Sequence, residues 1–211
     1  MIEIPKIPVS SEDVLKVATN QEVVKLASHA IAKIDASRRI VNQVPLSSKP
    51  VYGVNTGFGA LAEVILSQER LKKLQYNLIV SHAVGWGNNL EPEIVRSAMF
   101  LRANMLAKGY SGVRVEVIEM ITEMLNRNII PCVPETGSVG ASGDLAPLAF
   151  VVRAMLGEGD VYFNNQKLPA ARVFKKIKIK PLKLDIKEGL SLINGTEIMS
   201  GAGAIVVERS K

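Results

Sequence analysis

The chain has 211 residues, a length for one large domain or two small ones. Hydrophobic residues make up 47% and charged residues 22%, which excludes disorder over most of the chain, while aromatics at 5% offer little for a base-stacking surface despite a net charge of +6. No apolar run approaches the ~20 residues of a membrane span, the N-terminus lacks the basic and apolar regions of a secretion signal, and one cysteine, Cys132, leaves no intramolecular disulfide and no Cys/His cluster for zinc. The chain therefore reads as cytoplasmic, away from membranes.

Helical signals dominate, so the expected class is mainly α with a small β excursion. Ser10 and Ser11 can cap a first short helix carrying Val14, Leu15 and Val17. Asn20 can cap a second, with Val24, Ala27 and Ile31 on one face. A turn-rich stretch from Pro45 to Pro50 follows, then a short extended run over 51–54 and a loop over 55–59. Ser67 is the N-cap expected for a helix reaching His82, with Leu71, Leu74 and Leu78 on its buried stripe. Pro92 opens the next helix and Gly109 closes it; Ile94, Ala98, Leu101 and Met105 keep helical spacing between them. A further helix over about 113–126 carries Val117, Ile118, Ile121 and Met124.

After Pro131 and Pro134 comes a glycine-rich run over 136–144, then an apolar helix over 145–156. Residues 161–163, a turn at Asn164-Asn165 and the segment beyond it form the β excursion. Ile177 and Ile179 alternate with Lys176, Lys178 and Lys180, which reads as an edge strand guarded by lysines rather than a nucleic-acid surface, even with Lys175 and Lys183 added. Residues 185–193 and 196–207 are the last helical stretches. An apolar helix without a cap at the end reads as a truncated chain or one completed by a partner.

Two glycine motifs fail on context. Gly57-Phe-Gly59-Ala-Leu-Ala62 matches a dinucleotide-binding fingerprint, yet about 20 residues on, where an acid belongs, stands Asn77-Leu-Ile-Val. Gly140-Ala-Ser142-Gly143 resembles a nucleophile elbow, but Asp144 occupies the place of its last glycine. Read alone, Ser142 is a helix N-cap and Asp144 a first-turn acid. That leaves unexplained the crowding of Gly137, Gly140 and Gly143 around the cap.

A chemical reading accounts for the crowding. The amide nitrogen of Gly143 can reach the carbonyl carbon of Ala141 and close a five-membered ring. Glycine permits the bend and alanine is small enough to be compressed. Loss of water from the ring carbon, and of the Ser142 hydroxyl, leaves 4-methylideneimidazole-5-one, an electrophile made by the protein itself. A helix N-terminus behind it would stabilise negative charge that develops there.

The run Gly137-Ser-Val-Gly-Ala-Ser-Gly-Asp-Leu-Ala-Pro-Leu148 resembles the signature of the aromatic amino-acid ammonia-lyases. Tyr52-Gly-Val-Asn-Thr-Gly-Phe-Gly59, Leu74-Gln-Tyr-Asn-Leu-Ile-Val-Ser-His82 and Lys187-Glu-Gly-Leu-Ser-Leu-Ile-Asn-Gly-Thr196 agree with it in order, and Ser81-His82 resembles the histidine branch rather than the tyrosine or phenylalanine ones. The resemblance implies the helical fumarase/aspartase-like fold and elimination of ammonia from L-histidine to give urocanate, with a tyrosine or phenylalanine ammonia-lyase as the alternative. It assigns the cofactor precursors to Ala141, Ser142 and Gly143, assistance of cyclisation to Asp144, removal of the β-proton to Tyr52, the imidazole contact to His82, and a contact with the cofactor carbonyl or substrate carboxylate to Asn194. Family members are about twice this long and build each site from several subunits of a homotetramer. On that comparison residues 1–211 are an N-terminal, cofactor-bearing domain without the C-terminal helical half. They would serve a small amino-acid substrate as a homo-oligomer or with a partner chain, or stand as an inactive lyase-like subunit.

Overall fold

The computed structural model covers residues 1–211 and is mainly helical, with three small sheets. The N-terminal strand β1 (Ile2–Ile4) pairs in parallel with β2 (Val24–Leu26). Between them lies α1 (Ser11–Ala18), whose N-cap Ser10 accepts from the Asp13 amide while the Asp13 side chain closes a capping box. The strand at Val24–Leu26 replaces the helix expected from Asn20. The second helix, α2, starts only at Ser28 and runs to Gln43, burying Ala30, Ile34, Arg38 and Val41 and leaving Ile31 exposed.

Residues 51–54 form a tight turn rather than an extended run: Asn55 Oδ1 accepts from the Val51 amide at 2.7 Å and Asn55 Nδ2 donates to the Lys49 carbonyl at 2.9 Å. Helix α3 (Gln68–His82) has the expected cap, Ser67 accepting from the Arg70 amide. Its last turn leads into β3 (Trp86–Asn89). Helix α4 (Pro92–Ala107) and helix α5 (Val115–Asn126) form the centre of the core with Val95, Met99, Phe100, Ile118 and Met124 fully covered. The buried face of α4 is wider than the spacing implied. Met105 is exposed, because helices α1, α5 and the last helix pack around the other sides.

Strands β4 (Ile130–Pro131), β6 (Asp160–Phe163) and β7 (Gln166–Pro169) form an antiparallel sheet whose hairpin turns at Asn164-Asn165, both left-handed. Strand β5 (Pro134–Thr136) pairs with β3. Helix α6 (Leu145–Met155) follows the glycine-rich loop, and α7 (Ala170–Ile177) follows β7. The expected lysine-guarded strand is absent. Val173, Phe174 and Ile177 have helical spacing, Val173 and Phe174 are buried, and Lys178 takes a left-handed conformation that closes α7 through the Ile179 amide on the Phe174 carbonyl.

Residues 188–209 do reach the length and apolarity of a membrane span, which the composition alone did not suggest. They form two helices, α8 (Glu188–Ile193) and α9 (Glu197–Arg209), broken at residues 194–196. Each begins on a buried glutamate held by arginine: Glu188 by Arg114 at 2.8 Å and Glu197 by Arg102 at 2.7 Å. Helix α9 lies along α4 and α1.

Candidate active site

The pairing of β3 with β5 decides where the site forms. Trp86 lies opposite Thr136, so the end of α3 and the start of the glycine-rich loop are brought side by side. A cavity of about 460 Å³ opens there. One wall comes from Ser81, His82, Val84 and Trp86, the other from Thr136 to Val139, and Ala141, Gly143 and Leu145 complete it.

His82 is half-buried in the last turn of α3, with Nδ1 at 2.8 Å from the Leu78 carbonyl. A carbonyl only accepts, which assigns the proton to Nδ1 in the neutral ring and leaves Nε2 with its lone pair free. The imidazole is therefore fixed in orientation and tautomer by its own helix.

The loop over 140–144 turns sharply. Gly140, Ser142 and Gly143 all have positive φ, 72°, 65° and 97°. Ser142 is consequently not the N-cap of α6. The cap position falls two residues on, at Asp144, whose side chain makes no hydrogen bond to the helix it opens. Asp144 is buried and its side chain serves α9: its Oδ2 accepts from the Met199 amide, at 3.0 Å, in the first turn of that helix. The N-termini of α6 and α9 thus both adjoin residues 142–144, placing positive dipole ends and backbone N–H groups beside the loop.

The break between α8 and α9 clamps this loop. Asn194 Nδ2 donates to the Ser142 hydroxyl at 2.9 Å and to the Ser142 carbonyl at 3.2 Å. The Asp144 amide donates to the Gly195 carbonyl at 2.6 Å. A Cβ on Gly143 would sit 2.3 Å from that carbonyl oxygen, so only glycine fits.

Helix α8 is also where the other matched stretches meet. Gly53 packs against Leu190, where a Cβ would come within 2.6 Å of its side chain. The buried Gln75 accepts from the Leu190 amide at 3.3 Å. Tyr52, however, does not join the cavity. Its ring packs edge-on against Phe58 at 5.9 Å and is 58% exposed. The cavity wall contains neither arginine nor lysine. Arg102 and Glu197, which shape the Asn194–Gly195 turn from beneath, were not singled out from the sequence. An arginine amid the apolar residues of α4 was the available signal.

Comparison with known proteins decides the family. The family model for aromatic amino acid lyases matches residues 9–211. The chain belongs to the aromatic amino acid lyase family. Histidine ammonia-lyase of Stigmatella aurantiaca is 46% identical over 200 residues, covering 95% of this chain and 39% of that protein. Among solved structures, tyrosine aminomutase from Streptomyces globisporus superposes with a TM-score of 0.92 at 37% identity, covering 99% of this chain and 39% of its own. Histidine ammonia-lyase from Trypanosoma cruzi gives 0.90 at 34%, covering 98% and 40%. This lyase-family chain thus spans about two-fifths of the length of the relatives it matches, and both an ammonia-lyase and an aminomutase share its fold.

Proposed function

We propose that this chain is the cofactor-bearing part of a histidine ammonia-lyase, which eliminates ammonia from L-histidine to give urocanate. The observation that carries the reading is the clamped loop with left-handed Ser142 and Gly143, whose Ala141 and Gly143 line the same cavity as His82. The residues fit the internal cofactor: Gly143 has no room for a side chain, Ala141 is small, and Asn194 donates to the hydroxyl that ring formation expels. Closed to 4-methylideneimidazole-5-one, residues 141–143 would supply an electrophilic carbon that converts the substrate amine into a leaving group.

The remaining roles fall to side chains. His82 offers Nε2 as acceptor to an imidazole N–H of the substrate. Asn194 keeps its amide on Ser142, from where it would hold the cofactor carbonyl or the substrate carboxylate. The dipoles of α6 and α9 would stabilise negative charge developing at residues 141–143. Tyr52 is the proposed base for the β-proton. Its exposure, and a cavity without a cation for the carboxylate, support a site completed by further chain, in a homotetramer whose subunits share their sites. The single half-buried Cys132 is in keeping with a cytoplasmic enzyme.

The test uses the chain completed to its relatives' length. The expected protein is lighter than its sequence by two waters and releases ammonia and urocanate from L-histidine. Ser142→Ala cannot lose the second water and loses several orders of magnitude in rate. Near-normal urocanate formation by Ser142→Ala overturns the reading.

A further inference from the structure

Arginines 38, 96 and 102 are buried. Arg96 ties the Val17 and Leu125 carbonyls, and Arg38 ties Asp185, and neither lines the cavity. Arg102 is different. Its Nε donates to the Leu192 carbonyl at 3.1 Å, and its Nη2 to the Ser191 carbonyl at 2.6 Å and the Asn194 carbonyl at 2.9 Å. Its Nη1 donates to Glu197 Oε1 at 2.7 Å. One guanidinium therefore satisfies the open carbonyl end of α8 and joins it to the first residue of α9.

The turn between those helices is the same one that grips the loop, through Asn194 on Ser142 and Gly195 on Asp144. The other oxygen of Glu197, Oε2, is buried without a partner and lies 2.2 Å from where a Cβ on Gly195 would stand. Arginine, glutamate and glycine are thus packed as one block beneath the loop.

We infer that Arg102 and Glu197 are a positioning pair for ring closure at residues 141–143. The inference rests on the function proposed above. Closure forms a bond from the Gly143 nitrogen to the Ala141 carbonyl carbon. One water leaves with the Ala141 oxygen and the amide hydrogens of Ser142 and Gly143. A second leaves with the Ser142 hydroxyl and its Cα hydrogen, so no oxidant or reductant is needed. Asn194 donates to that hydroxyl only while the turn keeps its shape. The pair carries no net charge and does not line the cavity, so it acts on the loop through geometry.

The experiment compares wild type, Arg102→Met/Glu197→Leu and Arg102→Lys, each in the chain completed to its relatives' length. The readouts are thermal unfolding and intact mass followed over time. Replacing both charges by apolar groups commonly leaves a buried pair's fold intact, so the double variant is expected to fold. It should lose its two waters about a hundredfold more slowly, the cost of a misplacement on the order of one ångström. Arg102→Lys keeps the charge but cannot span the carbonyls of 191, 192 and 194, and should be slow as well. A folded double variant that matures at the wild-type rate overturns the inference. If the double variant fails to fold, wild-type maturation in Arg102→Lys overturns it instead. A wild type that retains both waters overturns the proposed function itself, a different result from either.

Discussion

At Gly143 the backbone has φ 97° and the Gly195 carbonyl fills the space of a side chain. Gly143→Ala should therefore cost about 1–3 kcal/mol, the usual range for a strained backbone position, and leave the loop unconverted; a urea melt and an intact mass check both. His82 yields a sharper expectation. With Nδ1 committed to Leu78, Nε2 is the atom that the proposed function assigns to the substrate. His82→Leu should lower kcat/KM for L-histidine by on the order of a hundredfold or more, because a site built around a hydrogen bond leaves its partner unpaired when the bond is lost. Turnover of an aromatic analogue without ring nitrogens should fall far less. Parallel kinetics on the two substrates make the comparison, and equal losses remove His82 from this role.

Among the elements, α1 depends on its capping box. Burial raises the Asp13 pKa, but the hydrogen bonds from Lys6 and Ser10 more than offset this and hold the carboxyl at about 2, against an ordinary 3.8. A depressed carboxylate stabilises the fold above its ordinary value, and the contribution is lost as pH falls from near 3.8 toward 2. Asp13→Asn should cost about 1–2 kcal/mol at pH 7 and almost nothing near pH 2, as read by denaturant unfolding at the two pH values. Helix α8 is held more deeply. Glu188 is fully buried and accepts from the Arg114 side chain and from the Asp185 amide, each at 2.8 Å. Glu188→Leu removes the acceptor of the Arg114 side chain and of the Arg114 and Asp185 amides and should cost about 1–3 kcal/mol, measured the same way. Such elements differ in how openly the sequence declares them. Ser67 and Pro92 announce α3 and α4 because caps act within one turn of chain. Val24–Leu26 could not be read as a strand, since its partner Ile2–Ile4 lies about a helix away in sequence. Around Lys178 the apolar spacing suits either period over so few residues, and only the burial of Val173 and Phe174 chooses the helix. Of the four matched stretches, three supply His82, Ala141, Gly143 and Asn194 at or beside the cavity, while Tyr52 stays outside it; the cap reading of Ser142 fails because a left-handed serine has no local signal. Arg102 escaped notice because its task depends on carbonyls about 90 residues later.

The whole molecule leaves apolar side chains uncovered around its cavity: Trp86 is 75% exposed and Val139 89%, with Val84 beside them. A second group, Leu61, Val64 and Ile65, stands exposed on the loop that follows Tyr52. Exposed apolar surface of this kind favours association. The 211-residue chain by itself is expected to self-associate and to release little ammonia from L-histidine. Sedimentation and an ammonia assay test this, and a monomer with ordinary turnover contradicts it.

The clamp on the loop also sets an order in time. Asn194 follows Ser142 by 52 residues, so at ~5–20 residues per second a ribosome needs roughly 3–10 s to deliver it after the serine. If ring closure waits for that grip, a half-made polypeptide carries an ordinary Ala-Ser-Gly sequence, inert toward the thiols and amines around it. The reactive group then arises only in a chain whose α8 and α9 have already folded around Arg102. The same hydrogen bonds that shape the loop would thus act as a safeguard during synthesis.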